Sequence, residues 1–367
     1  MTTVWRRAVD RLRSYPRDSP GREKAALPVR TGRYRPELDG IRGVGIAIVV
    51  IAHLGAPVLG WPGVLLFFVL SGYLITSLLI QERERTGRVD IRAFWMRRAR
   101  RLFPALAVLL AFLAVTGLAT HRDIIATALY VANWQRVTEP MGPLDHAWSL
   151  GIEEQFYVAW PLVAGLLLHR RAPALLAALV VAITLWRFAL PPERAMWGTD
   201  ARADALLAGA LLALRPLRLP AWSAIPAIIV LVVLGMVLPF DAATRLGLSL
   251  GLIASVVIVA AAPGWLAFRP LVWLGGISYA LYLWNYPIVV LVPAPWPVLL
   301  VLSLIAAWIS TRYVEGPFRL RLGDRLERGR DPGPLATRRG LEPPHLGRGV
   351  GAEVPRNPGE STGRASA

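Results

Sequence analysis

From residue 41 to residue 314 the chain is a succession of apolar stretches, most near the length of a membrane-crossing helix, joined by short connections. A helix needs about 20 apolar residues to cross a bilayer. Backbone in lipid must satisfy its own hydrogen bonds, which leaves helices as the economical solution. The expected fold class is therefore all-α: a polytopic integral membrane protein with no soluble domain. Ten transmembrane helices are expected, at 41–60, 62–80, 104–120, 146–168, 172–190, 203–214, 221–240, 245–262, 270–292 and 296–314. The sixth is short and must extend upstream through Arg202 or be a broken helix held among others. A mean hydropathy of +0.47 agrees with this class.

The connections alternate in charge. Of the 41 basic residues only Lys24 is a lysine, and the formal net charge is +17. Such a balance can mean nucleic acid, but most of the arginines flank apolar runs, where they set orientation. No nucleic-acid partner is expected. Up to Arg42 there are 11 basic and 5 acidic residues, and 81–103 holds 8 arginines against 3 acids. His169, Arg170, Arg171, Arg215, Arg218 and Arg269 fall on the same side if the number of spans is even. Loops 122–145, 191–201 and 241–245 carry no such excess. The protein is thus expected to be a multi-pass membrane protein with both termini cytoplasmic. The expected divisions are a disordered arm (1–34), a membrane domain (35–319) and a disordered tail (320–367) too short for a second catalytic domain. The arm does not read as a cleavable signal. Cysteine is absent, which removes disulfides and thiol chemistry. Five histidines without paired spacing argue against a metal. No internal repeat is visible, which disfavours an inverted-repeat transporter.

Ionisable residues inside apolar stretches are costly and point to function. Arg42 and His53 are eleven positions apart in the first stretch. Eleven helical steps return to nearly the same face and advance about 16 Å. This places a guanidinium at the membrane edge and an imidazole near mid-membrane. A neutral imidazole is suited to take a proton from an alcohol near pH 7. Ser71 and Gly72 offer a polar contact and a close-packing notch in the second stretch. Arg97, Arg98, Arg100 and Arg101 gather before the third, where four guanidiniums suit anionic lipid or a polyphosphate such as the nucleotide part of coenzyme A. Glu153 and Glu154 open the fourth, and helical spacing aligns Glu153 with Ser149 and Tyr157. Arg202 and Asp204 begin the sixth, with an ion pair as the plainer reading. Residues 274–287 combine glycines and aromatics as a kinked, cavity-lining helix would.

Seven segments occur together: Arg42–His53, 67–75, 97–104, 148–157, 202–209, 276–287 and 315–319. In this order they resemble the acyltransferase 3 family of bacterial integral-membrane O-acyltransferases. The resemblance implies transfer of an acyl group, usually acetyl, from cytoplasmic acyl-CoA to a hydroxyl of an outward-facing sugar, glycan or glycolipid. It ties Arg42 and His53 to donor use and catalysis. One position departs: Asn285 stands where many relatives have a histidine, and an amide cannot shuttle a proton. Its remaining role is positioning.

The expected mechanism places the donor's phosphates near Arg42 and Arg97, Arg98 and Arg101, with no permanently bound cofactor. His53 acts as general base, held by Glu153. Ser71, Tyr73 and Tyr279 are candidate donors to the oxyanion. Trp148, Glu154, Arg202 and Asp204 are expected to bind the acceptor on the outer side. The rival reading is a proton-coupled transporter or flippase with His53 and Glu153 as a relay. The topology gives a direct expectation. A fluorescent protein that matures only in the cytoplasm should be bright when fused before Met1 or after Ala367; one bright and one dark end would refute an even number of spans, and two dark ends the cytoplasmic placement of the termini.

Overall fold

The computed structural model of the protein describes residues 34–55, 60–163 and 171–318. The expected arm, except Tyr34, the expected tail and the His169–Arg170 pair lie outside the described residues. Among the described residues every regular element is helical and there is no strand. The chain runs through α1 (Pro36–His53), α2 (Trp61–Thr86), α3 (Ile91–Thr116), α4 (His121–Ala128) and α5 (Ala132–Thr138). A 3-10 turn (Gly142–Ala147) leads into α6 (Trp148–Val163), then α7 (Ala172–Phe188), α8 (Pro192–Trp197), α9 (Thr199–Leu214) and α10 (Ala224–Val237). The last elements are α11 (Phe240–Ala261), α12 (Arg269–Gly276), α13 (Ser278–Leu291) and α14 (Trp296–Phe318).

The helix ends follow local chemistry. Asp90 caps α3 by accepting from the Ala93 amide at 2.9 Å. Gly87 and Gly117, at φ +77° and +67°, close α2 and α3 in the left-handed conformation.

Among the described residues four helices, α2, α3, α11 and α14, are long and apolar enough to cross a membrane. A fifth span exists if α12 and α13, bent by 70°, count as one. Ten were expected from apolar runs. The shortfall has a physical reason: several runs form helices of only 14–18 residues. A helix surrounded by others needs neither full length nor uniform apolarity, because protein satisfies its polar groups. α1 carries Glu37, Asp39 and Arg42 in its first two turns. α9, the short sixth run, does extend upstream, to Thr199, and is largely buried. The expected loop 122–145 is folded into α4, α5 and the 3-10 turn.

α2 is the centre of the bundle, packed by α1, α9 and α11. The contacts are backbone against backbone. A Cβ on Gly72 would lie 1.9 Å from the Leu206 carbonyl oxygen, and one on Gly209 2.0 Å from that of Val69. α1 meets α12 in the same way: a Cβ on Gly43 would lie 2.2 Å from the Leu271 oxygen, and one on Gly275 1.9 Å from that of Asp39. Small residues permit such approach, and in lipid it is a main source of helix association.

Gly275→Ala should therefore separate α1 from α12, at about 1–3 kcal/mol or more. The neighbouring Gly276→Ala meets nothing within 4 Å and should leave stability unchanged. Thermal unfolding of the two variants in detergent checks this; equal melting temperatures would refute the contact.

Candidate active site

Two cavities in the bundle share part of their lining. The first, of about 210 Å³, is lined by Arg42 of α1, Ser71 of α2, Arg98 and Arg101 of α3, Glu153 and Glu154 of α6 and Tyr279 of α13. The second, of about 330 Å³, is lined by His53 and by Trp61, Asp145, His146, Trp148, Trp197, Phe240 and Tyr286. Val64 and Tyr282 line both. One cavity is rich in charge, the other in aromatic rings.

His53 closes α1, because Gly55 at φ +90° leaves helical geometry two residues later. Its ring therefore stands in the last helical turn, at the end of the α1 axis and not at the middle of a 41–60 span as expected. Its Nδ1 is 2.8 Å from Asn285 Oδ1, and Tyr286 packs edge-on against it at 4.8 Å.

The hydrogen bonds behind His53 settle its tautomer. Ser303 donates to the Leu299 carbonyl at 2.7 Å, and a carbonyl only accepts. The Ser303 oxygen must therefore accept from the Asn285 amide nitrogen, 3.1 Å away. That turns the Asn285 oxygen towards His53, so Nδ1 carries the proton and donates. In the neutral ring Nε2 then holds the free lone pair. It faces the wall of the second cavity, 3.9 Å from where a Cβ on Gly60 would sit.

The other expected site residues divide between these cavities and the bundle interior. Arg42 pairs with Asp39 at 2.8 Å and lines the first cavity. Arg98 lies 3.8 Å over the Tyr157 ring, and Arg101 shares the same wall. Arg97 pairs with Glu82 at 3.0 Å and is not part of it. Glu153 accepts from Ser71 at 2.8 Å. It therefore does not hold His53; Asn285 does. Glu154 lies in the first cavity, with the arginines, and not with Trp148 in the second.

Two of the three expected oxyanion donors are occupied in the structure. Ser71 donates to Glu153, and Tyr279 donates to the Leu102 carbonyl at 2.7 Å. Tyr73 accepts from Arg35 at 3.1 Å and lines neither cavity. Arg202 and Asp204 do not pair with each other. Asp204 accepts from Arg187 of α7, and both are fully buried. Arg202 is buried over Phe68 and Trp148, at 5.5 and 5.8 Å from their rings. Neither Arg202 nor Asp204 lines either of these two cavities.

The structure adds residues that the sequence reading left without a role: Asp145, His146, Trp197, Tyr282 and Tyr286. Tyr282 and Tyr286 are four apart on α13, one helical turn, and that spacing is the signal that could have placed them on one face. Nothing local marks Trp197, which reaches the cavity only through the turn between α8 and α9. Arg136 stacks on Trp197 at 3.7 Å and pairs with Asp145.

A family model for an acyltransferase domain matches residues 35–312, which takes in every residue of both cavities. The chain belongs to the acyltransferase 3 family. It is 35% identical over 346 residues to O-acetyltransferase OatA of Staphylococcus aureus (strain NCTC 8325), an alignment covering 78% of this chain and 57% of that protein. It is 32% identical over 348 residues to peptidoglycan O-acetyltransferase OatA of Listeria monocytogenes, covering 78% and 56%. The chain thus spans a little over half the length of these relatives. No solved structure matches it.

The tautomer can be measured. Nitrogen-15 spectra of histidine-labelled protein should show His53 as the Nδ1–H form, and Asn285→Leu should convert it to a mixture. An Nε2–H form in the unaltered protein would refute the hydrogen-bond chain.

Proposed function

We propose that the chain is an O-acyltransferase that takes an acetyl or related short acyl group from acyl-CoA and passes it to a hydroxyl of a sugar in peptidoglycan. The observation that carries this reading is the pair of cavities meeting at one wall, with the free nitrogen of His53 facing the second. Arg42, Arg98 and Arg101 in the first cavity offer the charge-assisted donors that phosphates need. The rings of Trp61, Trp148, Trp197 and Tyr286 in the second offer flat apolar surfaces to a sugar ring, and Asp145 offers an acceptor for its hydroxyls. The first cavity opens to the cytoplasm, by the arginine bias of its flanks, and the second faces outward. The acceptor is drawn from the printed name of the Listeria relative.

In the reaction His53 Nε2 takes the proton of the acceptor hydroxyl as the oxygen attacks the thioester carbon. A C–O bond forms and the C–S bond breaks. The electron pair leaves with sulfur, and the thiolate takes up a proton to become the free thiol. Asn285 keeps Nδ1 protonated, so the ring presents its basic nitrogen to the acceptor and its positive form is stabilised by the amide oxygen. The relay reading has no comparable support: His53 and Glu153 line different cavities, and the amide between His53 and Ser303 cannot relay a proton.

Membranes containing the protein should release thiol from acetyl-CoA when peptidoglycan fragments are added. His53→Ala should lower that rate by about 10²–10⁴-fold, the usual worth of a general base. Arg98→Ala should raise the KM for acetyl-CoA about tenfold or more, the loss of one charge-assisted hydrogen bond, with a smaller change in kcat. Thiol release that survives His53→Ala undiminished would remove this residue from the chemistry.

A further inference from the structure

Only Val64 and Tyr282 belong to the walls of both cavities. They come from α2 and α13, the central helix and the bent one. Tyr282 is held firmly. Its hydroxyl donates to the His146 carbonyl at 2.6 Å and, having given its one proton, accepts from Ser149 at 2.6 Å. Two hydrogen bonds and a buried ring leave it one position. Val64 is buried too, and as a β-branched residue has little freedom about χ1. Neither residue can yield easily.

We propose that Val64 and Tyr282 form the gauge that sets which acyl group is transferred. The inference rests on the reading of the first cavity as the donor site and the second as the acceptor site. The thioester carbon must reach the attacking oxygen where the two cavities meet. The acyl substituent must therefore lie between the valine methyls and the tyrosine ring. A rigid gap bounded by a branched aliphatic and a fixed ring admits a methyl group and resists each added methylene. Discrimination at such a site is worth about 10–200-fold per methylene. Selection would then reside in two side chains that contact neither the phosphates nor the sugar.

The test compares kcat/KM for acetyl-, propionyl- and butyryl-CoA, with peptidoglycan fragments as acceptor, in membranes containing the full chain. Ratios between donors do not depend on how much of each variant folds. Val64→Ala should raise the butyryl-to-acetyl ratio by about tenfold or more. Tyr282→Phe keeps the ring but frees it from Ser149 and His146, and should raise the ratio by a smaller factor. Leu74→Ala enlarges the first cavity away from the shared wall and should leave the ratio unchanged. If Leu74→Ala shifts the ratio as far as Val64→Ala, or if neither Val64→Ala nor Tyr282→Phe moves it, the gauge is refuted while the acyltransferase reading stands. If the unaltered protein releases no thiol from any of the three donors, the acyltransferase reading falls and the gauge with it.

Discussion

Backbone contact through glycine is the constraint on which the rest of the structure depends. Between apolar helices in lipid no hydrophobic force draws one helix to another, so close approach must supply the attraction. Gly72 and Gly209 bring α2 against α9; Gly40, Gly43 and Gly275 bring α1 against the segment leading through α12. The second contact fixes α1, and α1 carries Arg42 and His53. The first fixes α2, which carries Ser71 and Val64. Each cavity wall is thus set by a pair of helices that cannot move apart or slide without losing the carbonyl-to-glycine fit.

Much of this was legible in the sequence, and the rest has identifiable reasons. The apolar runs located the helices, and of the two readings open for the short sixth run, upstream extension or a broken helix, the structure shows the extension. The glycines and aromatics of 274–287 marked the bend now seen between α12 and α13. What periodicity could not give was partnership between distant segments. Asp204 sits two residues from Arg202 in sequence, yet its ion pair is with Arg187, because helix α7 packs along that face. Glu153 was expected beside His53, but the two side chains fall into different cavities. The amide of Asn285, noted in the sequence as the loss of an acid–base group, turns out to be the partner of the imidazole. The first helix also ends at His53, short of the apolar run, since a left-handed Gly55 stops it earlier than apolarity alone would.

Under the proposed chemistry the two cavities separate two recognition tasks that a single pocket would have to combine. Arginines and carboxylates surround one, aromatic rings the other. A buried charge is tolerated only with partners, and the first cavity supplies them in Asp39 for Arg42, Ser71 for Glu153 and the Tyr157 ring for Arg98. The second cavity needs few such partners, because its polar atoms are held from behind: His53 by Asn285, and Asp145 by Arg136. Affinity for an anionic donor and grip on an uncharged ring can then be tuned independently.

The hydrogen bond from His53 to Asn285 has a consequence for charge movement. An imidazole backed by a carboxylate or a second imidazole could pass a proton through to the far side; one backed by an amide cannot. The proton that Nε2 collects must depart from Nε2, towards the compartment that the second cavity faces. In the proposed reaction the thiolate formed in the first cavity would draw its own proton from the opposite compartment. Under the proposed chemistry each turnover would therefore take up a proton on one side of the membrane and release one on the other, and the membrane potential would become a term in the rate.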